Sequence, residues 1–335
     1  MFKNKRVLVT GACGSIGSSL VETMLSQGCV VCVFDQNEDG LFQLDQKYKS
    51  NYGDQLRFFL GSVRDGDRLE KAMAGVDTVF HCAALKHVYL SEYNPFEAMQ
   101  TNIDGVNNII TAALNANVKQ VIFTSSDKAV NPSSTMGATK LLGERLMTAA
   151  NHHSGDQGTR FSSVRFGNVL NTNGSVLQIF KQQIEERKPL TLTSEEMTRF
   201  FITMDQAVSL CLYAADNMIG GEVFVMNMGA CRILDLAKAI SKGDAFEYVV
   251  IGQKPGEKLY EELVTDVEAP RTALLNDVYT VIPETLSMMD SLISDAYAET
   301  YKGLERLTDS LRSDKDLMSE EAIYRYLQAN DIIED

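Results

Sequence analysis

The sequence feature that constrains this chain most is a glycine-spaced turn, Gly11-Ala-Cys-Gly14-Ser-Ile-Gly17, set directly between the apolar run RVLVT and the helix-period run SSLVETMLSQ. A β-strand that feeds a helix through such a turn brings bare backbone up to a ligand. The helix N-terminus adds unpaired N–H groups and a favourable dipole, the combination that binds a pyrophosphate. The next strand, CVVCVFD, ends in Asp35, about 20 residues past the glycines, where a carboxylate meets the hydroxyls of an adenosine ribose. An acid there repels a 2′-phosphate, so the expected cofactor is NAD rather than NADP. Gly11, Gly14, Ser15, Ile16, Gly17 and Asp35 are the first candidate cofactor residues.

Downstream, short apolar runs alternate with segments of helical period: DRLEKAMAG, VDTVFHCAA, a long helical stretch, then VKQVIFTSS. Repeated strand-helix-strand units imply a Rossmann-like, doubly wound parallel sheet covered by helices on both faces. Ligands of such sheets lie beyond the carboxyl ends of the strands. That rule makes Ser62 and Val63, after one strand, candidates for adenine contacts, and Ala83 and Ala84, small residues after another, candidates for the cofactor's path.

The 335 residues suffice for about two domains, and 44% hydrophobic with 23% charged residues is the composition of a folded globular chain. The expected division is a cofactor domain over 1–168 with a return segment over 200–228, and a smaller mixed α/β substrate domain over 169–199 and 229–335, ending in two or three amphipathic helices. A net charge of −14 argues against a nucleic-acid partner. About half of that excess lies in 285–335, as a solvated acidic surface. The basic start MFKNKR lacks the apolar run of a signal peptide, and no stretch is long and apolar enough for a membrane helix. A cytoplasmic protein without a membrane partner is therefore expected. Six cysteines without repeating spacing make no disulfide framework, and the Cys29-x-x-Cys32 pair falls on opposite faces of a strand, as buried thiols rather than a redox or metal pair. No metal is expected, and His152 and His153, in the polar stretch NHHSGDQG, are assigned no role.

Strand VKQVIFTSS ends in Ser125-Ser126-Asp127-Lys128, and Met136-Gly-Ala-Thr-Lys140 follows. From here the sequence resembles the extended short-chain dehydrogenases/reductases, in particular the nucleotide-sugar 4,6-dehydratases of the polysaccharide-biosynthesis branch. The resemblance runs roughly from Arg6 to Leu263 through TGACGSIG, HCAALKHVYLSEYNP, TNIDGVNN, SSDKAVNPSSTMGATK, RFGNVLNTNGSV, EMTRFFITMDQAV and KPGEKLYEEL. It implies an internal redox reaction on a nucleotide-activated N-acetylhexosamine, most simply UDP-N-acetylglucosamine. NAD takes hydride from sugar C4, water leaves across C5–C6, and the hydride returns to C6. Such an elimination needs a base at C5 and an acid for the C6 oxygen. The resemblance gives the acid to Asp127 and the base to Lys128, and it puts Lys140 on the nicotinamide ribose.

The family's tyrosine is replaced by Met136, whose thioether takes no proton, as in the large membrane-anchored 4,6-dehydratases. That leaves Ser126 and Lys140 as alternative local candidates for the C4 hydroxyl proton. By the same resemblance Lys86, His87 and Asn168 face the sugar nucleotide, with Arg165 in the same Arg-Phe-Gly-Asn stretch. Arg199, for its planar fork, and Lys258, beside Glu261, are candidates from the second domain, with Arg199 preferred for the diphosphate. A nucleotide-sugar 4-epimerase needs no acid at C6, and a catalytically silent NAD-binding scaffold needs neither Asp127 nor Lys128; these are the two rival functions. A homo-oligomer is expected through the helix TNIDGVNNIITAALNAN and the helix starting at Met136, both of which carry more apolar residues than one core-facing stripe uses.

Overall fold

In a computed structural model, residues 2–154, 158–172, 174–241, 246–289 and 291–333 are described. His152 and His153 lie in a turn and are exposed. The apolar runs become strands, the central ones buried from both sides and the edge strand β3 largely exposed: β1 (Arg6–Thr10), β2 (Val30–Asp35), β3 (Leu56–Leu60), β4 (Thr78–His81), β5 (Gln120–Thr124), β6 (Arg160–Arg165), β7 (Val223–Met226), β8 (Thr272–Leu275) and β9 (Val278–Val281). They form one sheet in the order β8-β9-β7-β6-β5-β4-β1-β2-β3. Every pairing from β3 across to β7 is parallel, whereas β9 runs antiparallel to both β7 and β8. The chain moves outward from β1 through β2 to β3, then returns to β4 on the other side of β1. A crevice therefore opens between β1 and β4 at the carboxyl edge, the topological switch point of a doubly wound sheet.

Strand periodicity sends alternate side chains into two separate helical layers. Val7 and Val9 pack with Leu20, Met24 and Leu25 of the helix Ser15–Ser26, and with Leu210 and Ala214 of the helix Met204–Asn217. Leu8 packs on the other face with Leu69, Ile109, Ala113 and Met147. Cys29 and Cys32 divide between the same two layers as free thiols. The sheet is covered on both faces by apolar helix stripes, and each buried leucine in them is worth roughly 2–5 kcal/mol on truncation to alanine.

The run RFSSVRFGNVL splits at Phe166-Gly167, where the chain leaves the large sheet. Asn168–Val169 pairs in parallel with Thr198–Ile202, which pairs antiparallel with Ala230–Arg232. Two further strand pairs, Leu190–Leu192 with Tyr248–Val250 and Glu262–Val264 with Leu311–Arg312, complete a smaller mixed α/β region. Its core includes Leu177, Phe180, Leu236 and Leu327.

Two expectations need correction. The hairpin β8–β9 extends the large sheet, so the segment 229–335 does not belong wholly to the smaller region. The C-terminal segment does hold two helices, Ser291–Thr300 and Glu320–Ala329, with the strand Leu311–Arg312 between them. The helix Gly105–Asn115 turns Val106, Ile109, Ile110, Ala112 and Ala113 into the core, which leaves little apolar surface for a partner. A group of exposed aromatic residues sits instead on the short helices just before it, at Tyr89, Tyr93 and Phe96. Among the described residues no helix is long and apolar enough to cross a membrane.

Candidate active site

At the end of β1 the backbone turns through Gly11 with φ of 66°, and a Cβ there would lie 2.7 Å from the Ala83 amide nitrogen. The β1 and β4 ends touch main chain to main chain, which only glycine permits. Gly17 is held tighter still, since a Cβ there would come within 2.1 Å of the Gly11 carbonyl oxygen. Gly14 is different. It caps the helix Ser15–Ser26 from an ordinary extended conformation without a side-chain cap, and an added Cβ meets only the Gly11 oxygen, at 3.2 Å. The first-turn N–H groups of that helix therefore point, uncapped, toward the crevice.

Asp35, at the end of β2, is fixed by two backbone donors. Cys13 N–H donates to Oδ2 at 2.9 Å and Asn37 N–H to Oδ1 at 3.0 Å. Each oxygen keeps a lone pair for a ribose hydroxyl. The crevice has a volume of about 600 Å³, within the range of nucleotide-sized pockets, and Ser15, Ile16, Ser62, Val63, Ala83 and Ala84 all border it. A glycine cradle, an uncapped helix start and a fixed carboxylate are the parts an adenine dinucleotide requires, so the residues present fit NAD. Cys13 and Cys82 also reach this crevice, but burial pushes both thiols up to about 12, which keeps them protonated and inert.

Across the crevice β5 delivers Ser125 and Ser126 into a single tight turn, Asp127–Ala129. Ser126 Oγ donates to Asp127 Oδ1 at 2.8 Å, and Lys128 Nζ donates to the same oxygen at 3.0 Å. Lys128 Nζ also donates to Asn168 Oδ1 at 3.3 Å and lies 3.8 Å from Glu261 Oε1. Asp127 is wholly buried, and its Oδ2 has no partner among the described residues. Ser126 and Lys128 border the crevice, so the pair connects a buried carboxyl to the ligand space.

Lys140 is 6% exposed, donates to the Thr124 carbonyl at 2.8 Å, and sits over the Phe123 ring at 4.6 Å. Burial pulls its ammonium down to about 8, so it can change protonation near neutrality. Met136 lines the same wall and offers no exchangeable proton. Beneath lies a residue pair that sequence reasoning missed. His81 Nδ1 is 2.7 Å from Thr10 Oγ1, its Nε2 has no partner among the described residues, and burial pushes the imidazole down to about 3, so it is neutral. A histidine at the end of an apolar strand was the only signal available.

Lys86 and His87 stand exposed on the rim of the crevice. Their segment is clamped by Asn102, which accepts from Leu85 N–H at 2.8 Å and donates to the Leu85 carbonyl at 3.0 Å and to Thr139 Oγ1 at 2.9 Å. Asn102, Thr172 and Val169 are further residues the sequence did not single out, the latter two bordering the crevice from the small region's side.

Three basic residues are held by protein partners near this turn. Arg199 spends its fork on the carbonyls of Thr198, Lys258 and Leu259, with Nε 3.8 Å from Glu261 Oε1, so it braces a backbone loop and does not face the crevice. Lys258 donates to the Val130 carbonyl at 2.9 Å. Arg165 is buried between Glu144 and Glu268, with contacts of 2.6 to 3.1 Å, and it also donates to the Leu263 carbonyl at 2.7 Å. A carbonyl acceptor is local in neither sequence nor composition, which is why these partners were not legible.

The model of the polysaccharide biosynthesis protein family matches residues 7–283. An uncharacterised membrane protein of Methanocaldococcus jannaschii is 46% identical, covering 84% of this chain and 87% of that one. At 84% of both chains, a UDP-N-acetylglucosamine 4,6-dehydratase (inverting) of Campylobacter jejuni is 37% identical, and a UDP-glucose 4-epimerase of Rickettsia conorii 38%. The solved structure of Pen from Bacillus thuringiensis superposes with a TM-score of 0.90 at 37% identity, covering 99% of this chain and 100% of that one.

Proposed function

Since the chain belongs to the polysaccharide biosynthesis protein family of extended short-chain dehydrogenases/reductases, we propose that it is an NAD-dependent nucleotide-sugar 4,6-dehydratase. The substrate we propose is UDP-N-acetylglucosamine, the product its 4-keto-6-deoxy derivative. The observation that carries this reading is the Ser126-Asp127-Lys128 constellation, joined at 2.8 and 3.0 Å across the crevice from the glycine cradle. A 4-epimerase, the activity named for the Rickettsia relative, has no use for an acid and a base beyond the C4 proton.

NAD, when bound, supplies the acceptor for the C4 hydride and returns it to C6. The chain's own residues move the protons. Ser126 Oγ takes the C4 hydroxyl proton and passes its own to Asp127 Oδ1, the oxygen it already contacts. Lys140, pulled down to about 8 by burial and so still mostly protonated at neutral pH, holds positive charge beside the developing C4 oxygen. Protonated Asp127 is then the acid for the departing C6 hydroxyl, and its loss of charge weakens its grip on the Lys128 ammonium. Lys128, partly open to water, gives up its ammonium proton to solvent as that grip weakens; the neutral amine then removes the C5 proton and returns it to C5 once water has left. The proton that leaves C4 thus arms the acid that discharges C6, and the sequence needs no tyrosine.

The experiment is incubation with NAD and UDP-N-acetylglucosamine in deuterium oxide, with product mass and deuterium at the sugar followed by mass spectrometry. Loss of water with solvent deuterium in the product supports the reading. A change at C4 without loss of water identifies an epimerase, and no conversion of any nucleotide sugar leaves the scaffold alternative. We further propose a homo-oligomer built through the cofactor domain, on the surface where Tyr89, Tyr93, Phe96 and Leu142 are exposed. A monomeric mass by light scattering at micromolar concentration overturns that assembly.

A further inference from the structure

Glu261 lies just before the strand Glu262–Val264, far in sequence from the turn Asp127–Ala129, yet the two meet. The meeting is built. Lys258 donates to the Val130 carbonyl at 2.9 Å, Ser133 Oγ to the Gly256 carbonyl at 3.0 Å, and Asn131 Nδ2 to Glu262 Oε2, so the segment 256–262 is pinned along the loop that follows Lys128. Ser313 Oγ fixes the Glu261 backbone from the other side, accepting its N–H at 2.9 Å. The result is a carboxyl group 3% exposed, with Oε1 at 3.8 Å from both Lys128 Nζ and Arg199 Nε and with Oε2 unpartnered among the described residues.

The charged groups around it are Lys128 and Asp127 on the turn, Arg199 on the strand Thr198–Ile202, and Lys258 on its own segment. Arg199 is braced on three carbonyls and Lys258 on one, away from the crevice, whereas Lys128 borders the crevice where the substrate would lie. The Lys128 ammonium has three N–H donors and is ringed by three oxygens from separate segments: Asp127, Asn168 and Glu261.

Resting on the proposed dehydration, we propose that Glu261 is a positioning residue for elimination: its carboxylate is the second counter-charge on Lys128 and sets the pH at which Lys128 becomes a free base. A carboxylate near an ammonium favours the charged form, so its removal eases deprotonation. The 3.8 Å separation puts the two charges within reach of each other: burial pushes the Glu261 carboxyl upward, and the Lys128 ammonium opposes that by favouring the carboxylate. Asp127 loses its charge to the C4 proton during the reaction. Glu261 does not, and it therefore governs the base after the acid is armed.

The test follows the elimination step, as solvent deuterium appearing in the product, against pH, with full-length wild type, Glu261→Gln and Glu261→Asp, each with NAD and UDP-N-acetylglucosamine. The acid limb of the wild-type profile reports Lys128. Glu261→Gln should move that limb to lower pH by roughly 1–3 units, the range for loss of one nearby charge. Glu261→Asp, with its carboxylate drawn back, should move it less and in the same direction. Both variants should still reduce bound NAD on mixing with substrate, because C4 oxidation does not use Lys128. Should the Gln variant fail to fold, the Asp variant alone carries the test. Limbs that stay at the wild-type position, whatever the rates, overturn the inference and leave the reaction standing. A wild-type chain that oxidises no nucleotide sugar removes the reaction, and this inference with it.

Discussion

The two walls of the crevice are built on opposite plans. The cofactor wall is local: Gly11, Gly14 and Gly17 fall within one turn, and contact of backbone with backbone makes Gly11 and Gly17 necessary, as between Gly11 and Ala83, while Gly14 keeps space open toward the crevice. The wall of acids and bases is assembled at long range, with Asp127 and Lys128 from one turn, Asn168 from the next strand pair and Glu261 from beyond the helix Met204–Asn217. A local plan tolerates little substitution but needs few partners. The distributed plan stakes its chemistry on the packing of the small region against the large one, so the two walls should fail in different ways.

The largest effect is expected at Lys128. Lys128→Ala should lower turnover by ~10²–10⁴-fold, the usual contribution of a positioned base. It should still reduce bound NAD on addition of substrate, seen as a rise in reduced-cofactor absorbance without product release. Lys140→Ala should show neither. Wild-type turnover in Lys128→Ala removes the lysine from the chemistry. A Lys128→Ala enzyme that binds both ligands yet leaves NAD oxidised moves Lys128 to the C4 step.

Breaking the distributed wall at its foundation should cost stability. Arg165 carries two buried carboxylates, and Arg165→Met strands both, at a cost of ~3–5 kcal/mol. The melting temperature should fall by on the order of 5–10 °C. The cluster also predicts an acid dependence. Arg165 holds the Glu268 carboxyl down at about 2 from an ordinary 4.5, against the opposing effect of burial. A carboxyl lowered on folding stabilises the fold above its unfolded value, and that stabilisation is lost as pH falls from about 4.5 toward about 2. Thermal melts of Glu268→Gln should be flatter than wild type across that window, and parallel melts would refute the assignment.

The contrast between the walls also explains what could be read in advance. The alternation of apolar runs dictated the doubly wound sheet, because a parallel strand buried on both faces announces itself within five or six residues. The hairpin β8–β9 did not announce itself, since joining a distant sheet edge is a decision of tertiary packing. Asp127 and Lys128 were found through a motif. Their neighbour Glu261 lay in plain view beside Lys258, but no spacing rule links it to a lysine on another segment. Arg199 was misread because a guanidinium satisfied by carbonyls looks, in sequence, like one waiting for phosphate.

The glycines separate fold from ligand within the local wall. Gly17→Ala drives a methyl into the Gly11 carbonyl and should destabilise the whole domain, read as a lowered melting temperature without NAD. Gly14→Val has only one contact to relieve in the free protein, so its melting temperature should stay within a few degrees of wild type while NAD affinity collapses, because the side chain takes the space a pyrophosphate approaches. Undiminished NAD affinity in Gly14→Val would show that the dinucleotide does not run across this turn.

The smallest effect is expected at the outer end of the same wall, where Asp35 chooses between NAD and NADP. Its two oxygens are each tied to a backbone N–H, from Cys13 and Asn37, so the charge cannot swing away from a 2′-phosphate. Asp35→Asn keeps one acceptor but turns an amide NH₂ toward one of those donors, so NAD binding should weaken slightly. Loss of the negative charge should at the same time relieve repulsion of the 2′-phosphate, and the NAD-over-NADP preference should shrink by roughly tenfold or less, since the site opens to water and salt screens it. Calorimetry at low and high ionic strength separates the two contributions. The hydrogen-bond loss persists in salt, whereas the charge effect fades. Tighter binding of NADP than of NAD by the wild-type chain would mean that Asp35 does not face the ribose at all.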